Sequence, residues 1–171
     1  MGRQVSAFGT DDLEALDGAL EIAREMTGQF FGLPDDWFRR TSHEVCTLRD
    51  LRVEEILGKG KLAQIRKLHR ILGEEPGRLL RCSRVCPHYR ICLQDHNILG
   101  RLQAGSTPEL RDFLAYVLTH EYVHLVRFQR LEHPYLVSPE GSEVEETRVG
   151  ELTTAIVQRL GHRRLRALVG A

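Results

Sequence analysis

The sequence predicts an α+β fold, predominantly helical, with a small sheet. Three observations point there. Residues 110–128 are apolar on almost every side, the mark of a buried helix. Apolar residues recur at spacings of three and four before residue 31 and again at 61–72. Between them, 79–102 mixes cysteines with short apolar pieces such as Tyr89-Arg90-Ile91-Cys92-Leu93, which read as short strands and loops. At 171 residues, with no internal repeat and no low-complexity linker, the chain is expected to be one domain, 1–171.

The elements follow in order. Thr10 can cap a helix carrying Leu13, Leu16, Leu20, Ala23 and Met26, which Gly32-Leu33-Pro34 then breaks. Residues 42–57 are of mixed character and compatible with helix, closed by Gly58-Lys59-Gly60. Leu62, Ile65, Leu68 and Leu72 predict a helix over 61–72, and Glu74-Glu75-Pro76-Gly77 a turn. Thr107 at the cap and Pro108 at the first helical position open the buried helix, which should end near His133-Pro134. Ser142 and Glu145 form an S-x-x-E capping box for a last helix running to about Leu160.

Charge and composition exclude several classes. Lysine plus arginine equals aspartate plus glutamate at 24 each, which is not the footprint of a general nucleic-acid binder. The local clusters, Arg78, Arg81, Arg84 and Arg90, then Arg159, Arg163, Arg164 and Arg166, read as solvated surface. No apolar run is long enough for a membrane span, and MGRQVSAFGTDD lacks the pattern of a secretory leader. A cytoplasmic protein with no membrane partner is the expectation.

The buried helix contains His120-Glu121-Tyr122-Val123-His124, an H-E-x-x-H pattern. Residues four apart share one helical face, so both imidazoles can reach a single ion. Two neutral imidazoles from one helix suit zinc. Glu121 points beside the pair, where it can take a proton from water rather than ligate metal. Three ionisable side chains in an apolar turn are costly to bury unless a partner or a metal holds them. The alternative is a pair of core histidines satisfied by neighbours.

A hydrolytic zinc needs a third protein ligand and an open position. Arg127 and Arg130 stand where the glycine and last histidine of the extended H-E-x-x-H-x-x-G-x-x-H pattern would be, which argues against that site. Instead the next helix starts Glu143-Val144-Glu145-Glu146-Thr147-Arg148-Val149-Gly150. With these motifs the region 108–160 resembles the gluzincin branch of the zincin metallopeptidases. In that branch a second helix, about twenty residues on, supplies a glutamate ligand, with a small polar or acidic residue four further and a small residue seven further. Glu143 lies nineteen after His124, with Thr147 and Gly150 at the two later positions. The resemblance implies a zincin-like fold, with Glu143 as third ligand beside His120 and His124. Glu146, one turn on and on the same face, is the alternative. It further implies hydrolysis of a peptide or protein substrate through zinc-activated water with Glu121 as general base, the substrate lying extended along an edge strand that 90–102 could supply. His133, Tyr135 and His162 are candidates by type for steadying the oxyanion.

Cys46, Cys82, Cys86 and Cys92 are the only cysteines. One distant cysteine followed by C-x3-C-x5-C, with proline after Cys86, looks like the four-cysteine cluster of the AddB-type nucleases. That resemblance extends to cluster binding alone, since none of the nuclease motif is present. A [4Fe–4S] cluster or a second, structural zinc is one expectation; unligated core thiols and disulfides are the others. A non-catalytic zincin-fold module, binding a partner or sensing redox state through such a centre, is the second functional reading.

Overall fold

The structure, a computed structural model, describes residues 6–72, 84–102, 109–132 and 139–170. It is α+β and mostly helical. The elements are α1 (Thr10–Phe31), α2 (Trp37–Arg40), β1 (His43–Cys46), two 3-10 turns (Leu48–Asp50 and Val53–Glu55), β2 (Ala63–Leu72), β3 (Arg84–Leu93), α3 (Asp95–Leu102), α4 (Leu110–Gln129), α5 (Pro139–Leu160) and α6 (Arg163–Arg166). The sheet runs β1-β3-β2, with β1 parallel and β2 antiparallel to β3.

Helix α1 starts where Asp12 accepts the Gly9 N–H at 2.8 Å. It stops at Gly32, whose φ of 60° is left-handed and lets Leu33 N–H reach back to the Gly28 carbonyl. Its stripe of Leu16, Ala19, Ala23 and Met26 is buried, and the small Ala19 and Ala23 let it lie close against α4. Helix α4 is buried almost all round, as its composition requires: Leu114, Leu118, Tyr122, Val123, Leu125 and Val126 are fully enclosed. It ends at Gln129, earlier than expected. The Thr107-Pro108 start and the His133-Pro134 end fall outside the described residues, as does the turn at 74–77.

Two helical expectations give way to strand and turn. Residues 42–57 form β1 and the two 3-10 turns. Residues 63–72 form β2, with Ile65 opposite Ile91 and Leu68 opposite His88. Pairing with β3 overrides the helical spacing. Residues three apart in a strand face opposite sides, so Ile65 joins the core and Leu68 is left 37% exposed. Strand β3 shows the alternation of a half-covered sheet. Tyr89, Ile91 and Leu93 enter the core, while Arg90 and Cys92 lie beneath the 48–57 segment. The expected loops of 94–102 are helix α3.

Three polar side chains of the β3–α3 junction tie the layers together. Asp95, fully buried, accepts from Phe8 N–H at 2.9 Å and Leu48 N–H at 3.1 Å. Gln94 accepts from Leu57 N–H and donates to the Glu55 carbonyl. Asn97 donates to the Gly58 and Lys61 carbonyls. Helix α5 begins at Pro139, so Ser142 lies inside the helix and the expected capping box does not form. The Glu145 carboxylate is taken instead by Arg127 of α4 in a two-point contact, 2.7 and 2.9 Å. Nor is Arg90 solvated surface; it pairs with buried Glu55 and with Glu44.

Asp95→Ala removes the acceptor of two backbone donors and is expected to cost about 3 kcal/mol, read from denaturant unfolding. Arg127→Ala removes the two-point partner of the buried Glu145 carboxylate, and is expected to cost a similar amount, about 3 kcal/mol.

Candidate metal centre

The cavity-facing side of α4 carries Tyr116, His120, His124 and Phe128 at successive spacings of four, a single stripe along one side of the helix. The two imidazoles meet with ring centroids 5.0 Å apart and planes at 73°. Opposite them stands Glu146 of α5. Its Oε2 lies 3.3 Å from His120 Nε2 and its Oε1 lies 3.2 Å from His124 Nε2. One donor atom from each of the three residues falls within 4.8 Å of the others.

The two carboxylate–imidazole spacings are close to those between the donors of a small tetrahedral ion, and all three donors lie within 4.8 Å of one another. With metal–nitrogen and metal–oxygen bonds near 2.0–2.2 Å, donors on the edges of a tetrahedron stand about 3.4 Å apart. The donor chemistry, two imidazoles and one carboxylate, is that of a zinc site with a position left open. The residues present therefore fit the ion that the sequence pattern suggests.

The third donor differs from the expected one. Glu143 is exposed, its backbone carbonyl accepts the Thr147 hydroxyl at 3.0 Å, and its carboxylate is not among the converging groups. Helix α5 presents Glu146 instead, one turn further along. The hydroxyl of Thr147 is spent on its own helix and does not orient His120.

Electrostatics bind the cluster even without an ion. Hydrogen bonds from His120 and His124 hold the Glu146 carboxyl far below the usual carboxylate range, against the effect of partial burial. Burial pulls the His120 imidazole down, but the Glu146 hydrogen bond and the nearby Glu121 charge outweigh it and raise the net value. Glu121 is 6% exposed, and burial raises its carboxyl despite the two histidines.

All four side chains line a cavity of about 630 Å³. One wall is the start of the edge strand β2, Ala63, Gln64 and Ile65, with Leu57 and Lys61 just before it. The substrate-side strand expected at 90–102 is thus not there, since 90–93 belong to the central strand and 95–102 to α3. Tyr116, Val117 and Phe128 supply the apolar walls. Sequence reading missed Tyr116 and Phe128, although their spacing of four from the histidines could have found them. Lys61 and Gln64 carried no such signal. His162 is not among the residues that line the cavity and pairs with buried Asp112 at 3.2 Å; His133 and Tyr135 lie outside the described residues.

Among the described residues the cysteines fall on two strands, β1 and β3. Cys86 and Cys92 sit six residues apart on the one extended strand β3, so their Cα atoms are about 20 Å apart by strand rise. No single cluster or ion spans that gap. Cys82 lies outside the described residues. Cys46 and Cys92 are register partners on β1 and β3, both free and buried. Burial pushes each thiol up to about 11; Glu44 adds to this for Cys46 and Glu55 for Cys92, with Arg90 opposing in both.

No protein-family model, curated protein or solved structure matches the chain. Among the described residues, no helix is long and apolar enough to cross a membrane.

The raised thiols set an alkaline limit on the fold. Between about pH 9 and pH 11 the unfolded chain releases protons that the folded chain retains, so stability falls as pH rises through that window. Denaturant unfolding at pH 8 and pH 10.5 should show a steeper loss for the parent than for the Cys46→Ala, Cys92→Ala double variant.

Proposed function

We propose that this protein is a zinc-dependent metallopeptidase of gluzincin type with a zincin-like fold, in which His120, His124 and Glu146 hold the metal and Glu121 is the general base. The observation that carries the reading is the meeting of those three donors, at spacings of 3.2 and 3.3 Å, on the wall of a cavity that Glu121 also lines. Zinc bound by such a set supplies a Lewis acid that polarises a carbonyl and acidifies water near neutrality.

The chain's own residues account for the rest. Glu121 follows His120 directly, so its carboxylate is offset from the ligand stripe and free to exchange protons. It takes a proton from the attacking water and passes it to the departing amine. Among the described residues the rim at Ala63 and Gln64 belongs to the last strand of the sheet, against which an extended peptide can form backbone hydrogen bonds. The 57–61 approach to that rim is held by Gln94 and Asn97, which keeps the distance between strand edge and metal centre constant. Val117 and Phe128 shield the reacting groups from water, which strengthens their electrostatics.

Purified protein should contain about one zinc per chain by elemental analysis. Glu146→Ala should lose it, whereas Glu143→Ala should keep it. Cleavage of a mixed peptide library, followed by mass spectrometry, should fall about 10²–10⁴-fold in Glu121→Gln with the zinc retained. Zinc retention with no cleavage by the parent would assign the chain to the non-catalytic binding class.

A further inference from the structure

We infer that Phe128, backed by Tyr89, is a positioning residue that sets the ring plane of His124 in the metal centre. The inference rests on the metal reading above and extends it to residues that touch no ion. A ligating histidine ordinarily donates its second ring nitrogen to a carboxylate, a carbonyl or a water, and that bond fixes the ring's tilt. His124 has no such bond: Nδ1 is buried and without a hydrogen-bond partner among the described residues.

Stacking takes its place. The Phe128 ring lies 5.9 Å from the imidazole with planes at 21°. Behind it the Tyr89 ring lies 6.0 Å from Phe128 at 8°. Both spacings fall within the range that offset aromatic pairs favour. The three rings form a column that runs from the central strand β3 to the metal-binding face of α4. Tyr89, only 2% exposed, roots the column in the core. On the other side His120 meets His124 edge-on, so the imidazole is held between a face and an edge. A quarter turn of the His124 ring would lose the Phe128 face and swing Nε2 off the line to Glu146.

The test compares zinc affinity in the parent, Phe128→Leu and Phe128→Tyr, by competition with a chromophoric chelator, alongside unfolding of each metal-free protein. Leucine keeps apolar bulk without a flat face; tyrosine keeps the face. The expected result is zinc binding about tenfold weaker in Phe128→Leu and close to parent in Phe128→Tyr, with both metal-free proteins folded. Unchanged affinity in Phe128→Leu, or equal losses in the two variants, overturns the inference while leaving the metal site standing. A second readout needs neither variant nor metal: nuclear Overhauser contacts between the His124 and Phe128 ring protons in the metal-free parent. Their presence supports the column, and their absence overturns it. A parent that binds no zinc removes the metal reading itself, and the role of Phe128 with it.

Discussion

The candidate site depends on the cost of placing His120, Glu121 and His124 on a largely buried helix. Ionisable groups are tolerated there only if something of opposite charge arrives to meet them. Glu146 does so, and it can do so only because α5 is held at a fixed height against α4. The two-point contact of Arg127 with Glu145, the residue directly before Glu146, sets that height. The pairing of helices and the assembly of the site are therefore one event: a shift of one residue between α4 and α5 would separate both pairs together.

The sheet has a corresponding task on the other side of the cavity. Strand β3 is central, and its core-facing residues Tyr89, Ile91 and Leu93 alternate with the polar side. At its end, Gln94, Asp95 and Asn97 use their side chains to hold segments far away in sequence: the N-terminal approach at Phe8, the turn at Leu48 and the 57–61 rim. Few of these contacts are apolar. Buried side-chain hydrogen bonds have direction, and so they fix loop geometry in a way that apolar contact does not.

Much of the helical layer was legible in the sequence. The stripe on α1 and the unbroken apolarity of α4 are local patterns, and local patterns survive tertiary context when the helix is long. The H-E-x-x-H pair was legible for the same reason, because a spacing of four means the same thing in any helix. Segment 61–72 was not legible. Its apolar residues fit a helical period, but the hydrogen-bonding partner that made it a strand is β3, some twenty residues away. The choice between Glu143 and Glu146 was likewise beyond local reading. Both share a face, and the decision depended on how α5 is seated against α4, which Arg127 sets from outside. Cysteine spacing was silent on conformation: it did not show that Cys86 and Cys92 lie on one extended strand.

Among the described residues β2 is the last strand of the sheet, a position that also bears on how a protein behaves in a crowd. A strand edge with free backbone groups is a template on which other molecules of the same chain could stack and aggregate. Positive charge gathers near this strand, with Lys59 and Lys61 before it and Lys67 on it, while Arg66 is paired with buried Glu55. Two such edges approaching each other meet like charges at short range. That repulsion protects solubility at low ionic strength and weakens as salt screens it.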